Sequence, residues 1–332
     1  MKPGIAIAAL LGAAAIVYLV FHVGFSGVLN AALTVGWSGF AILIAYALGL
    51  FVILGFAWWV LIPGAKPAQL ATFIWSRVIR DSASEVLPFS QVGGFVIGAR
   101  AASLHGVPAP ISFGSTVVDI TTEMMAQIAY VLIGVALLVI HAPHSSLTKS
   151  LVPALFAGLA LALTGAIAFV VVQRRGFDIA GRLASRFLPK AVGHAEAIDQ
   201  SVNAIYSSPI RLALGAFCHF VGWVASAVGT FIAFRLMGTK IELASAIAIE
   251  SLVYGMRSAA FFVPNALGVQ EAAYAVLTPL FGIGPEVGIA LSLIRRARDI
   301  TIGIPVLLIW QALESHRLIA KPANKTTQLQ EK

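Results

Sequence analysis

The residues with chemical potential in this sequence are charges placed where charges are costly. Asp119 and Glu123 lie inside an apolar run from Ala109 to Ile140, and Gln127 and Tyr130 continue their helical spacing. Arg295, Arg298 and Asp299 lie in the run from Val287 to Trp310, with Arg295 four residues before Asp299. At 1.5 Å per residue, Asp119 and Arg295 sit about 12 to 15 Å along their runs, close to the middle of a bilayer. An ion at that depth costs at least about 3 kcal/mol unless paired or hydrated, so these side chains belong between helices and not against lipid. Two amphipathic stretches extend the pattern: Arg77, Arg80, Asp81, Ser84 and Glu85 share one helical face, and Glu250, Tyr254, Arg257 and Ser258 share another. Such groups suit three kinds of chemistry. Arginine forks hold phosphate oxygens bidentately; Gln91, Gln270, Tyr130 and Glu271 can hydrogen-bond a polyol; Asp119 or Glu123 can carry a proton. Against these stands a structural role, in which Asp119 and Glu123 neutralise Arg295, Arg296 or Arg298 and lock the chain together.

Other chemistries are poorly represented. His141 and His144 flank Pro143 without a third ligand nearby, so they read as loop residues and no metal is expected. One sulfur, Cys218, builds neither a disulfide framework nor a thiolate site. Without a P-loop or nucleophile elbow, ATP use and serine hydrolysis are not expected, and no cofactor is called for. Gly94 and Gly98 have the spacing of close helix packing.

The elements that must position these groups are membrane helices. The 332 residues are 59% hydrophobic and 11% charged, outside the range of soluble domains. Six apolar runs are long enough to cross about 30 Å of hydrocarbon: Ile5 to Val23, Trp37 to Ile62, Ala109 to Ile140, Leu151 to Val172, Ile210 to Phe234 and Val287 to Trp310. The first has no convincing cleavage site and reads as a retained helix. Two apolar but interrupted segments, 68–104 with Pro88 and 243–280 with Pro264, read as re-entrant hairpins, because proline breaks helices and irregular backbone at membrane depth needs protein or water around it. If both termini are cytoplasmic, twelve of the 22 cations fall in cytoplasmic loops and tails against three opposite, so the net charge of +8 reads as topology and not as nucleic-acid binding. The basic stretch from Arg174 to Arg211 is expected on the cytoplasmic membrane surface.

Sliding the chain by 176 positions places Pro88 on Pro264, Ser82 and Ala83 on Ser258 and Ala259, and Asp119 on Arg295. Three crossings separate equivalent spans, so the halves run in opposite directions. The expected fold is an all-α polytopic membrane protein of two inverted repeats with proline-broken hairpins, an architecture that puts a substrate site near the bilayer midplane; the alternative is a bundle with two proline kinks. The expected layout is one membrane domain over 1–332: a first span at 5–23, repeat one at 37–140, a linker span and basic segment at 150–208, repeat two at 210–312 and a polar tail at 313–332.

The stretches SEVLPFSQVGG (Ser84 to Gly94), VVDITTE (Val117 to Glu123) and FVPNALGVQE (Phe262 to Glu271) resemble the membrane family named for the transmembrane region of lysylphosphatidylglycerol synthase, and most closely its branch associated with bacterial hopanoid biosynthesis. The resemblance covers most of the chain. It implies a flippase-like domain of the bacterial cytoplasmic (inner) membrane that moves lipids between leaflets, with a hopanoid-linked lipid or phospholipid as substrate and hopanoid-processing enzymes as partners. Its motif positions are Pro88, Gln91, Gly93 and Gly94 in the first hairpin and Pro264, Gly268, Gln270 and Glu271 in the second; Arg77, Arg80 and Arg257 join them on physical grounds. Only about twenty polar residues follow Trp310, so an aminoacyl transferase domain is not expected there. Two other functions fit the same residues. One is a membrane-embedded transferase joining a hopanoid to another lipid, with Glu271 or Asp119 as base; the other is a non-catalytic organiser of hopanoid-processing enzymes.

Overall fold

Apolar sequence folds here into helix wherever proline and glycine permit. The computed structural model describes residues 3–87, 90–141, 189–260 and 263–319, together with isolated positions between 153 and 165. Helix α1 (Pro3–Val23) turns at Gly24, whose φ of 118° suits a residue without a Cβ, into α2 (Phe25–Thr34), and the two limbs meet at 95°. Then come α3 (Gly36–Val60), α4 (Leu70–Val86), α5 (Ser90–Leu104) and α6 (Ala109–His141). After the linker come α7 (Pro189–Tyr206), α8 (Pro209–Leu236), α9 (Leu243–Ala259), α10 (Val269–Leu277) and α11 (Pro285–Ile319). Prolines 189, 209 and 285 each open a helix, where a missing N–H costs nothing.

Both interrupted segments form helix pairs, α4 with α5 and α9 with α10. The first pair separates after Leu87, which is extended; Pro88 itself lies outside the described residues. In the second break, Val263 is extended and Pro264 begins a short turn in which Asn265 and Ala266 take left-handed φ values of 51° and 46°, before Gly268 at 80° starts α10. Helix α1 lies across this second break. A Cβ on Gly12 would come within 2.8 Å of the Leu267 carbonyl oxygen, and Gly268 packs on Ala15.

Three described helices, α3, α6 and α8, are long and apolar enough to cross a membrane, or four if the bent α1–α2 pair is one span. Six spans are therefore not all found. The run 151–172 lies outside the described residues except for isolated positions. The run 287–310 does fall on one continuous helix, but Arg295, Arg296, Arg298 and Asp299 in the middle of α11 leave it more polar than those three.

Packing crosses between the two parts of the chain. Helix α3 lies on α8, α4 lies on α11, and α9 lies on α6, while α2 covers α11 and α7 covers α6. Small residues permit the close approaches: a Cβ on Gly55 of α3 would meet Ile74 of α4, and one on Gly134 of α6 would meet Ser251 of α9. A large apolar cluster, including Leu138, Phe234, Ile249, Leu252 and Leu291, joins α6, α8, α9 and α11 and fixes the frame around the polar groups.

Candidate functional site

Charges buried by this packing gather into three groups. In the first, α4 presents Arg77 and Arg80 one turn apart to Asp119 and Glu123 one turn apart on α6. Arg77 forks onto Glu123 at 2.6 and 3.1 Å, reaches Asp119 at 3.4 Å, and donates from Nε to Asp81 at 2.9 Å. Arg80 donates to Glu123 at 2.7 Å and makes a short bond to Asp119. From α8, His219 brings Nε2 to within 2.8 Å of the other Asp119 oxygen. Arg80 also lies over the Phe95 ring at 4.5 Å, and α5 comes this close because a Cβ on Gly98 would fall 2.6 Å from the Arg80 Cβ. Gly94 meets α4 in the same way at Ser84, so the glycine pair serves packing; Gly93 beside it is half-buried.

The second group surrounds Arg295 of α11. Arg295 is ion-paired with Glu250 of α9 and donates to Thr230, Tyr274 and Tyr254 at 3.1, 2.8 and 2.8 Å. Glu250 also accepts from Ser226 at 2.9 Å, Thr230 at 2.8 Å and Tyr274 at 2.6 Å. One buried carboxylate is thus satisfied by one guanidinium and three hydroxyls, as its desolvation requires.

The third group joins the two helix breaks. Arg257 donates to Glu85 at 2.7 Å and to Gln270 at 2.6 Å, and the Asn265 side chain donates to the Glu85 carbonyl at 2.6 Å. Gln270 continues to Ser292 at 2.7 Å, and Ser292 to Glu271 at 2.8 Å. Glu271 holds Arg296 at 2.5 and 3.1 Å and accepts from the Gly268 N–H at 2.9 Å, which caps α10. Pro264 is buried in the turn that carries Asn265.

One expected pairing is replaced by another. Asp119 and Glu123 are neutralised by Arg77 and Arg80 of α4, not by the arginines of α11, because α4 is the helix that lies across that face. Asp299 pairs with the adjacent Arg298 at 2.7 Å and not with Arg295 one turn before, since Arg295 turns inward to Glu250. Pro88 and the Gln91 side chain lie outside the described residues, as does His144; His141 bonds the Leu137 carbonyl at 2.9 Å. Residues not singled out beforehand are His219, Ser226, Thr230, Tyr274 and Ser292. The first three lie on one stripe of α8 with Trp223, a spacing of four, three and four that was readable within the apolar run.

Between the groups stand aromatic rings. Trp223 stacks on Tyr130 at 6.0 Å and meets Tyr254 edge-on at 4.6 Å, while Gln127 of α6 donates to Ser258 at 2.7 Å. Asp119, Glu123 and His219 bring three potential ligand atoms within 4.8 Å of one another. Their carboxylate oxygens already accept from two guanidiniums whose fixed charge opposes a further cation, so this donor set does not fit a metal ion.

Apolar helices enclosing paired charges define a helical membrane protein with a polar interior. Residues 5–307 match the family described as the lysylphosphatidylglycerol synthase TM region, and the chain belongs to that family. No curated protein and no solved structure matches the chain.

Proposed function

We propose that the protein is a flippase-like transporter that passes the polar headgroup of a membrane lipid between leaflets while the tails stay in hydrocarbon. The observation that carries this reading is a line of polar groups that are only partly covered. Asp81, Glu123, Gln127, Tyr254, Arg257 and Glu85 are half-buried, and they run from the first ion cluster to the joined helix breaks. A purely structural lock has no need of access; a headgroup path does. The exchange of partners, α4 on α11 and α9 on α6, supports two inverted repeats over 37–140 and 210–312 that rock about the α3–α8 contact.

The mid-helix arginines are already held by carboxylates, so a phosphate must displace an acid to bind them. A hydroxyl-rich headgroup exchanges hydrogen bonds with less rearrangement. This favours the hopanoid-linked lipid implied by the sequence motifs, with hopanoid-processing enzymes as partners, in a bacterial cytoplasmic membrane with both termini on the cytoplasmic side.

The test uses purified protein in liposomes carrying a labelled hopanoid or a labelled phospholipid, with product analysis after incubation. The expected result is movement of an unmodified lipid that drops at least about tenfold in Glu123→Gln and Arg257→Gln chains of unchanged melting behaviour. A new covalent product supports the transferase instead, and neither signal from folded protein supports the organiser.

A further inference from the structure

Away from the charged clusters, a cavity of about 140 Å³ opens between the α3–α4 loop and the α5–α6 loop. Ile62, Phe73, Val107 and Ile111 form its apolar wall, and Lys66 and Gln69 supply its polar side chains. That volume is close to one that takes a benzene-sized molecule, enough for a phosphate and the carbon to which it is esterified. The loops around it are tied down. The Trp59 indole donates to the Lys66 carbonyl at 3.1 Å, the Lys66 N–H donates to Gln69 Oε1 at 2.9 Å, and the Val107 N–H donates to the Ala102 carbonyl at 3.2 Å. Gly64 and Gly106 make the two turns, with φ of 72° and 90°. The cavity is thus a fixed part of the fold.

Its charge is of one sign. No carboxylate lines it, so the exposed Lys66 ammonium is left to meet an anion from outside. Gln69, whose side-chain oxygen is engaged by the Lys66 N–H, keeps its NH2 group to donate. Behind the Ile62 wall, Arg211 donates to the Val60 and Ile62 carbonyls at 3.0 and 3.1 Å and offsets the negative end of α3. The depth of the cavity is marked by tryptophans. Trp37, 89% exposed at the start of α3, and Trp59 near its end are separated by about 33 Å of helix, the thickness of a hydrocarbon core. Indole rings settle at the headgroup level, so Trp59, bonded to Lys66, puts the cavity where lipid phosphates lie, with Ile111 about 12 Å along α6 from Asp119.

We propose that this cavity binds the phosphate of an anionic membrane phospholipid, with Lys66 as its counter-charge, Gln69 as a hydrogen-bond donor and the adjoining lipid carbons on the apolar wall. A zwitterionic lipid is disfavoured, because its ammonium would meet Lys66 and Arg211 with no carboxylate to balance it. The site is separate from the polar path between the helix breaks, and it stands whether or not that path carries lipid.

Native mass spectrometry of the purified protein, released from micelles holding phosphatidylglycerol and phosphatidylcholine in equal amounts, tests the site. The expected result is one phosphatidylglycerol retained per chain in preference to phosphatidylcholine. Lys66→Gln should weaken retention about fivefold, the worth of one lysine against an anionic lipid, and Lys66→Arg should keep it. Ile111→Trp, which fills the cavity from its wall, should displace the lipid while leaving Lys66 in place. Equal retention of the two lipids, or phosphatidylglycerol held as tightly by Lys66→Gln as by the parent chain, overturns the proposal. Should Ile111→Trp alter the melting behaviour, Lys66→Gln alone decides, since that side chain is exposed. Glycerol 3-phosphate separates a lipid from a free phosphate: lipid retained against a large excess of it supports the assignment, and displacement of the lipid by it overturns the commitment to a phospholipid.

Discussion

The two inner ion clusters solve the same problem by opposite means. In the first, two acids sit on α6 while both bases and a third acid sit on α4; in the second, the base sits on α11 and the acid on α9. The first answers charge with charge, two guanidiniums to three carboxylates, and leaves the Glu123 side chain 18% and the Asp81 side chain 23% exposed. The second answers one ion pair with hydroxyls, and its carboxylate is fully buried. Sealed and neutral, the second cluster acts as a pin. Open at its edge and short of one positive charge, the first is the cluster that solvent reaches, and under the proposed function it is where a headgroup would exchange partners.

Breaking the pin should cost most. Glu250→Ala leaves Arg295 buried without a counter-charge, with only hydroxyls to hold it, and is expected to lower stability by about 3 to 5 kcal/mol, measured by denaturant unfolding in detergent. Replacing both partners, Glu250→Leu with Arg295→Met, should recover most of that loss, because the desolvation cost goes with the charges. In the open cluster, Glu123→Gln is expected to cost only about 1 to 2 kcal/mol while depressing lipid movement strongly. If Glu123→Gln proves as destabilising as Glu250→Ala, the distinction between pin and working cluster fails. The smallest effect is expected from Tyr274→Phe, which removes one hydroxyl from Glu250 for about 1 kcal/mol, read as a shift in the unfolding midpoint, with lipid movement unchanged.

The sequence made the charged faces visible, because Asp119 and Glu123, or Arg77 and Arg80, repeat at helical spacing in apolar surroundings. It also showed both helix breaks, since proline leaves few alternatives. Partnership was another matter. Periodicity says which side of a helix is polar but not which helix lies opposite, so it neither identifies α4 as the neighbour of α6 nor matches Arg295 to Glu250. His219, one imidazole in an apolar span, carries no pattern of its own; only with Trp223, Ser226 and Thr230 does it make a stripe. Nor does local sequence reveal that Glu271 caps α10, since that bond depends on the left-handed turn at Gly268.

The seat of α1 has a consequence for how the chain is made. Gly12 docks on Leu267 and Gly268, so α1 leaves the ribosome roughly 250 residues ahead of the segment it packs against. At about 5 to 20 residues per second that interval is on the order of tens of seconds. Throughout it, α1 must be stored in lipid with its glycine face uncovered, and it closes over the second break as one of the last acts of assembly.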